Sequence, residues 1–364
     1  MRVLQVASGR EWRGGQNQVR LLCRELAREA DVKQLLVTRA DSELARRARA
    51  DQVPTRDAAW AMGLDPRAWA AVFSAIVHFR PDIVHTHDSH ALWLAVAARR
   101  TLRAYTALFF LGGAQEVGDM LPRIIGTRRV DFHIGRFGGW RAAARIIAIS
   151  EAVKAVLVQD GLPATEISVI PSGIDPAEVR ASARRPLNVR GRLSLEPGTP
   201  IAANVAALVD HKDQQTLIQA AHHARARRPD LHWVIAGEGK LRGSLAAEIA
   251  RLELADRVHL LGYVEEADAL IREADVFVMS SKEEGMGSVI LNALALDRPV
   301  VATAGGGIPE ILPADALVPI GDAEALARKV VAALAHPASR MPLPERFTAS
   351  AMARGVLAVY RSLL

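Results

Sequence analysis

Short runs of β-branched and aliphatic residues alternate along the whole chain with longer stretches whose apolar positions recur every three or four residues. That rhythm predicts βα units on parallel sheets. In the first half the predicted strands are 3–7, 34–38, 83–87, 107–110 and 146–149. In the second half they are 168–170, 201–205, 232–236, 258–260, 276–279 and 300–302, with a last short strand near Leu317. Helical periodicity covers 16–30, 68–78, 213–227, 241–253, 266–272 and 289–296. Pairs such as Arg80-Pro81 and Arg228-Pro229 mark helix ends, because proline cannot donate to the next turn.

Between Pro171 and Pro200 the chain reads PSGIDPAEVRASARRPLNVRGRLSLEPGTP, polar and without sustained periodicity, after which the βα rhythm restarts. The expectation is an α/β protein with two doubly wound, Rossmann-like domains, 1–170 and 171–345, joined by this segment as a linker. Residues 346–364 read as a closing helix that packs back on the first domain. A length of 364 residues fits two domains better than one. Open parallel sheets bind ligands beyond the carboxyl ends of their strands, so the chemistry is expected where two such edges face a central cleft.

Composition narrows the setting. Cys23 is the single cysteine, which excludes an internal disulfide framework and favours a reducing compartment. No segment reaches the roughly 20 apolar residues of a membrane span, and MRVLQVASG lacks the apolar core of a signal peptide. A soluble, cytoplasmic protein is expected. The net charge of +6 is uneven: residues 1–170 hold 24 Lys+Arg against 17 Asp+Glu, and the remainder 22 against 23. An Arg-rich stretch from Arg99 to Arg145 suits a peripheral contact with an anionic membrane surface or a phosphorylated acceptor. Nucleic acid is disfavoured, since no aromatic stacking platform accompanies the charge.

Several strand ends carry residues with chemistry. After the first strand, Gly14-Gly15 opens a helix, where backbone N–H groups and the helix dipole favour an anion. The turn has neither the dinucleotide G-x-G-x-x-G pattern nor a P-loop. The third predicted strand ends in HTHDSH, with His85 and His87 on one side and His87 nearer the exit. No cysteine accompanies these histidines, so a zinc site is a weak match and His87 is the candidate functional histidine. In the second half, Lys212 lies between a strand and a helix, Gly237 and Gly239 flank Glu238 after a buried strand and leave backbone open to a flat ligand, and Tyr263-Val264 follows Gly262. Finally, SSKEEGMGSVILNAL places Glu284 at the mouth of a helix. There the carboxylate would accept from ligand hydroxyls, while the Met286 and Gly287 amides are offered to an anion. Asn292 lies eight residues further on, where the helix would carry it down the same ligand wall.

Taken together, Gly14-Gly15, VHTHDSHA, VIPSGID, NVAALVDHKD, VIAGEGKLRGSL, LLGYV, SSKEEGMGSVILNALALDRPVVAT and GGGIPEIL resemble, in order and spacing, the retaining glycosyltransferases of family 4, which have the GT-B fold. The resemblance spans nearly the full chain. It implies that the second domain binds a nucleoside-diphosphate sugar and the first supplies the acceptor side, a hydroxyl of a lipid-linked or cell-envelope glycan. By position, Gly15 and Lys212 would face the diphosphate and Tyr263 and Val264 border the base. Glu284 with the Gly285, Met286, Gly287 and Ser288 backbone would hold the donor sugar, and His87 would sit over it near the acceptor. The resemblance implies no metal and no cofactor.

Two positions depart from the pattern. The family usually has a second Glu where this chain has Asn292, and many members have an Arg near the position of Ala207. These departures keep open a nucleotide-sugar-binding protein with weak or lost transfer. A sugar-nucleotide epimerase on the same architecture is the third reading.

Overall fold

The computed structural model describes residues 1–61, 63–109, 121–135, 139–336 and 341–364. The chain forms two compact units, Met1–Gly173 with Thr348–Leu364, and Ile174–Phe347.

Unit 1 runs β1 (Arg2–Ala7), α1 (Gly14–Leu26), β2 (Lys33–Arg39), α2 (Glu43–Ala50), β3 (Thr55–Ala58), α3 (Pro66–Phe79), β4 (Ile83–Thr86), α4 (Ser89–Phe109), β5 (Arg123–Arg128), β6 (Arg145–Ala148), α5 (Glu151–Gln159) and β7 (Ile167–Val169). The strands form one parallel sheet in the order β3-β2-β1-β4-β5-β6-β7. Strand order therefore reverses between β1 and β4, the position at which open sheets bind ligands. Because parallel strands are covered on both faces, β1 is buried from Val3 to Ala7.

Unit 2 contains α6 (Pro176–Ser182), α7 (Val189–Arg192), β8 (Ile201–Val205), α8 (Gln214–Ala224), β9 (His232–Ala236), α9 (Arg242–Arg251), β10 (Val258–Gly262), α10 (Ala267–Glu273), β11 (Val276–Met279), α11 (Ser288–Ala295), β12 (Val300–Thr303), β13 (Leu317–Val318) and α12 (Ala323–Ala335). Its parallel sheet has the order β10-β9-β8-β11-β12-β13, and the reversal falls between β8 and β11. Leu217, Ile218, Trp233, Val276, Val278, Leu326 and Val330 pack one face. Ile201, Ala203, Val234 and Leu270 meet Leu187 and Val189 on the other.

The last helix, α13 (Ala349–Arg361), belongs to unit 1. Met352, Val356, Leu357 and Tyr360 join a cluster with Leu21, Leu22, Leu26, Ile83, Ile125 and Ile147. Cys23 is fully buried beside this core, and desolvation pushes its thiol up to about 12, so it packs as a small apolar side chain.

Three sequence readings need correction. The strand expected at 107–110 is helix as far as Phe109, because no Gly or Pro interrupts the Ala- and Leu-rich run from Ala91; Phe110 lies outside the described residues. No strand is expected between 110 and 146, yet β5 lies there, paired with β4 and β6; residues 110–120 and 136–138 lie outside the described residues. The linker read at 171–200 is instead folded into unit 2 from Ile174 onward. There Asp175 caps α6, Glu273 accepts from the Asn188 and Val189 amides, and Leu187 and Val189 are buried. Among the described residues no helix is long and apolar enough to cross a membrane.

Candidate functional site

In unit 2 the two loops that leave the sheet at its reversal point are tied together. After β8, a single 3₁₀ turn (Asp210–Lys212) leads to Asp213, whose left-handed φ of 48° turns the chain into α8. Thr216 Oγ1 donates to Asp213 Oδ2 at 2.7 Å and Lys282 Nζ lies 3.2 Å from Oδ1, so the carboxylate holds this turn from two sides. The loop after β11 answers with Ser280 Oγ donating to the Lys212 carbonyl at 3.0 Å and the Lys282 amide to the His211 carbonyl at 2.8 Å. Across this frame Lys212 Nζ donates to Glu284 Oε2, with the two side chains 18% and 14% exposed. A cation and a carboxylate thus share one partly desolvated spot at the carboxyl ends of β8 and β11, where charge interactions outweigh those at an open surface.

The Glu284 loop rests on Gly305 and Gly306. A β-carbon on Gly306, at φ +52°, would stand 2.1 Å from the Glu284 carbonyl, and one on Gly305 would stand 2.3 Å from the Ser281 carbonyl. The Gly307 amide donates to the same Glu284 carbonyl at 2.8 Å. Gly287, at φ +80°, turns the chain into α11, whose first turn has no side-chain cap and no acidic residue. A helix start of that kind favours an anion. Met286 is buried, and Ser288 opens the helix.

Gly237 and Gly239 were expected to open backbone to a flat ligand, yet their missing β-carbons accommodate backbone. They would stand 1.9 Å from the Ala206 carbonyl and 2.3 Å from the Leu208 carbonyl. Tyr263 is exposed, and Val264 packs against the cluster containing Leu270. Asn292 Nδ2 donates to Asp268 Oδ1 at 2.7 Å, and Asp268 Oδ2 accepts from Ser182 Oγ. At Ala207 the group in use is the backbone carbonyl, which accepts from Gln214 Nε2 at 3.0 Å.

In unit 1, His87 follows β4 and is buried within a directed chain of hydrogen bonds. Gln5 Nε2 donates to the Tyr360 hydroxyl at 3.2 Å, so Gln5 Oε1 accepts and His87 Nε2 carries the proton across 2.8 Å. Tyr360 in turn donates to His85 Nδ1 at 2.6 Å, and His85 Nε2–H donates to Thr127 Oγ1 at 2.6 Å. His87 Nδ1 then accepts from Arg129 Nη2 at 3.4 Å. Burial, and secondarily Arg129, lowers His85 to about 3; burial, then His85 and Arg129, holds His87 well below the usual imidazole range. Both rings are neutral at physiological pH. Gly14 and Gly15 open α1 after β1, on the other side of the reversal point. Sequence reasoning counted Arg129 only among the basic residues; its signal was the pair Arg128-Arg129 at a strand end.

Comparison with known proteins follows the same division. The family model Glycosyltransferase Family 4 matches residues 12–178, and Glycosyl transferases group 1 matches 188–354. The chain is 33% identical over 161 residues to the Rhizobium meliloti lipopolysaccharide core biosynthesis glycosyltransferase LpsE, covering 43% of this chain and 46% of that one. It therefore spans about half the length of that relative. It is 28% identical over 295 residues to a Corynebacterium glutamicum GDP-mannose-dependent monoacylated alpha-(1-6)-phosphatidylinositol monomannoside mannosyltransferase, covering 76% and 75%. The structure of Anabaena Alr3699/HepE in complex with UDP and glucose superposes with a TM-score of 0.79 at 19% identity, over 100% of both chains, which establishes the shared fold.

Proposed function

We infer the reaction from one premise: the chain belongs to the group 1 glycosyltransferases and has the GT-B fold. The proposed activity is transfer of a hexose or heptose from a nucleoside-diphosphate sugar to a hydroxyl of a lipid-linked or cell-envelope glycan. The names of the relatives support both halves of that reading, one acting in lipopolysaccharide core synthesis and the other using GDP-mannose on a phosphatidylinositol mannoside.

The observation that carries it is the Lys212–Glu284 contact at the sheet reversal of unit 2. An ammonium has three donors, so Lys212 can keep Glu284 while turning its other N–H groups to a diphosphate. Glu284 then has acceptor capacity for sugar hydroxyls. Lys212 and the amides at the start of α11 offset the charge of the departing diphosphate, so this reading needs no metal. Tyr263 and Val264 border the base.

In the proposed retaining route, the bond from the anomeric carbon to the phosphate oxygen breaks with its electron pair on that oxygen. The acceptor oxygen bonds to the same face of the carbon, and its proton passes to the departing phosphate oxygen. No protein nucleophile is needed. Unit 1 supplies the acceptor side, with His87 as part of its frame, and its Arg-rich surface meets anionic lipid headgroups at the inner face of the membrane.

A second reading, donor binding without transfer, is favoured by the absence of a side-chain cation at Ala207 and by the engagement of Asn292 with Asp268. The test is incubation with UDP-, GDP- and ADP-sugars, following binding by thermal shift and sugar release or transfer by chromatography. Binding with turnover supports transfer and tight binding without turnover supports the second reading. No binding across the panel overturns both.

A further inference from the structure

Tyr360 comes from the last helix, α13, and Gln5 from the first strand, 355 residues away, yet both are fully buried and share a hydrogen bond. Apolar packing sets the place of the tyrosine. Met352, Val356 and Leu357 on the same helix meet Leu21, Leu22, Leu26 and Ile83, and the ring stands edge-on to His85 at 5.6 Å and 83°. The hydroxyl therefore serves two strands at once, accepting from Gln5 Nε2 on β1 at 3.2 Å and donating to His85 Nδ1 on β4 at 2.6 Å. Gln5 passes the constraint on, because its Oε1 accepts from His87 Nε2 at 2.8 Å. Every side-chain nitrogen and oxygen of Gln5, His85, His87, Tyr360 and Thr127 has a partner, so the set is closed.

Each of these groups can both donate and accept, so the same contacts admit two orders of protons. In the first, Gln5 Nε2 donates to Tyr360 and His87 carries its proton at Nε2. In the reverse, His85 donates from Nδ1 to Tyr360, Tyr360 donates to Gln5 Oε1, Gln5 Nε2 donates to His87 Nε2, and His87 carries its proton at Nδ1. Arg129 breaks the tie, because Nη2 can only donate and lies 3.4 Å from His87 Nδ1, where the reverse order would set donor against donor. That contact is long and holds the ring weakly by itself. The Tyr360 oxygen supplies the second hold, as the acceptor that keeps the Gln5 amide from turning over. The choice of tautomer is felt at the sheet reversal. His87, just past β4, takes Arg129, just past β5, on its Nδ1 lone pair, and Arg129 Cδ would be 3.6 Å from a β-carbon placed on Gly15 at the start of α1. A proton on Nδ1 would push the guanidinium away and part the ends of these elements.

We propose that Tyr360 is a positioning residue for the unit 1 side of the reaction: through Gln5 it fixes His87 as the Nε2–H tautomer, so the seating of α13 sets the state of the histidine past β4. The link to turnover rests on the function proposed above, in which unit 1 supplies the acceptor side with His87 in its frame. The link from Tyr360 to the tautomer does not.

The experiment is long-range ¹H–¹⁵N correlation spectroscopy of the full chain labelled in its histidine rings, which separates the two neutral tautomers, in wild type, Y360F and L357A. In wild type His85 and His87 are both wholly Nε2–H; either ring protonated at Nδ1 instead overturns the proposal, whether or not the variants fold. In Y360F the Gln5 amide turns over to regain an acceptor at His87 Nε2, and the Nε2–H form of His87 falls to about half or less. L357A truncates the same helix in the core without touching the hydrogen bonds, so it melts earlier and keeps the wild-type tautomers. A folded Y360F with His87 still wholly Nε2–H, or an L357A that changes the tautomer equally, overturns the proposal. Turnover of the sugar nucleotide that wild type uses from a UDP-, GDP- and ADP-sugar panel is then compared. In Y360F kcat falls in step with the remaining Nε2–H fraction, about twofold or more, while the donor KM stays within about twofold. A changed tautomer with unchanged kcat overturns the positioning role. If wild type turns over none of the panel, the transfer reading fails, and the tautomers alone decide whether Tyr360 positions His87.

Discussion

Lys212 and Glu284, 72 residues apart in sequence, meet through an ammonium-carboxylate hydrogen bond at the carboxyl ends of neighbouring strands β8 and β11. Neither loop alone explains the contact. It depends on Asp213 taking a left-handed turn before α8, and on the Glu284 loop lying flat on Gly305 and Gly306.

That seat gives the first prediction. Gly306→Ala adds a β-carbon against the Glu284 carbonyl at a left-handed φ, so the loop must lift. Stability should drop by about 2 kcal/mol or more, and affinity for a nucleotide sugar should drop with it. Urea melts paired with donor titration check this. Unchanged binding in a folded variant would show that the loop's position does not matter to the donor.

Asn292 makes a less obvious prediction. Restoring the family's glutamate by Asn292→Glu sets a second carboxylate against Asp268, which now accepts from the Asn292 amide at 2.7 Å. The single variant should lose about 1 kcal/mol of stability and gain no nucleoside affinity. The double variant D268N/N292E should recover stability and bind the nucleoside diphosphate about tenfold more tightly. Calorimetric titration of both variants tests the pair.

Tyr360 ties α13 to the polar interior of unit 1. Tyr360→Phe removes the donor to His85 Nδ1 and the acceptor for Gln5 Nε2, and leaves both groups buried without a partner. A loss of about 2–4 kcal/mol is expected by chemical denaturation, with little change in the packing of the ring. A loss below about 0.5 kcal/mol would mean the hydrogen-bond chain is energetically slack.

The same histidines set a pH dependence. His85 is held near 3 and His87 well below 6.5 in the folded chain, so the unfolded chain binds more protons in the interval between. Stability therefore rises with pH across that window, is fully present above about 6.5 and is lost as pH falls toward 3. His232, lowered to about 4 by burial and by His259, adds to the same slope. Between pH 7 and 5 the loss should be about 2 kcal/mol for His85, with His87 adding in the same direction, and H87Q should remove part of the slope.

Much of this architecture was legible because parallel strands buried on both faces leave continuous apolar runs, as in β1, β4, β9 and β11. Strands β3 and β5 were not. The first is a polar edge strand, TRDA, and the second has only Ile124 and Ile125 before Gly126 breaks the pattern to admit Trp140. Lys212 and Glu284 could be read because each sits just past a strand that could be read. Arg129 was missed because it follows one that could not. The glycines at 237 and 239 carried a true signal of close approach, but sequence could not tell a ligand from the neighbouring 206–208 backbone.

The donor half of the account turns on a division of labour between two side chains, and calorimetric titration of wild type, K212Q and E284Q resolves it. Each protein is titrated with the preferred sugar nucleotide from a UDP-, GDP- and ADP-sugar panel and with its bare nucleoside diphosphate. The account predicts that K212Q weakens both ligands by about tenfold or more, whereas E284Q weakens the sugar nucleotide and leaves the bare diphosphate unchanged or tighter. Affinities for both ligands within twofold of wild type in K212Q and E284Q would contradict it.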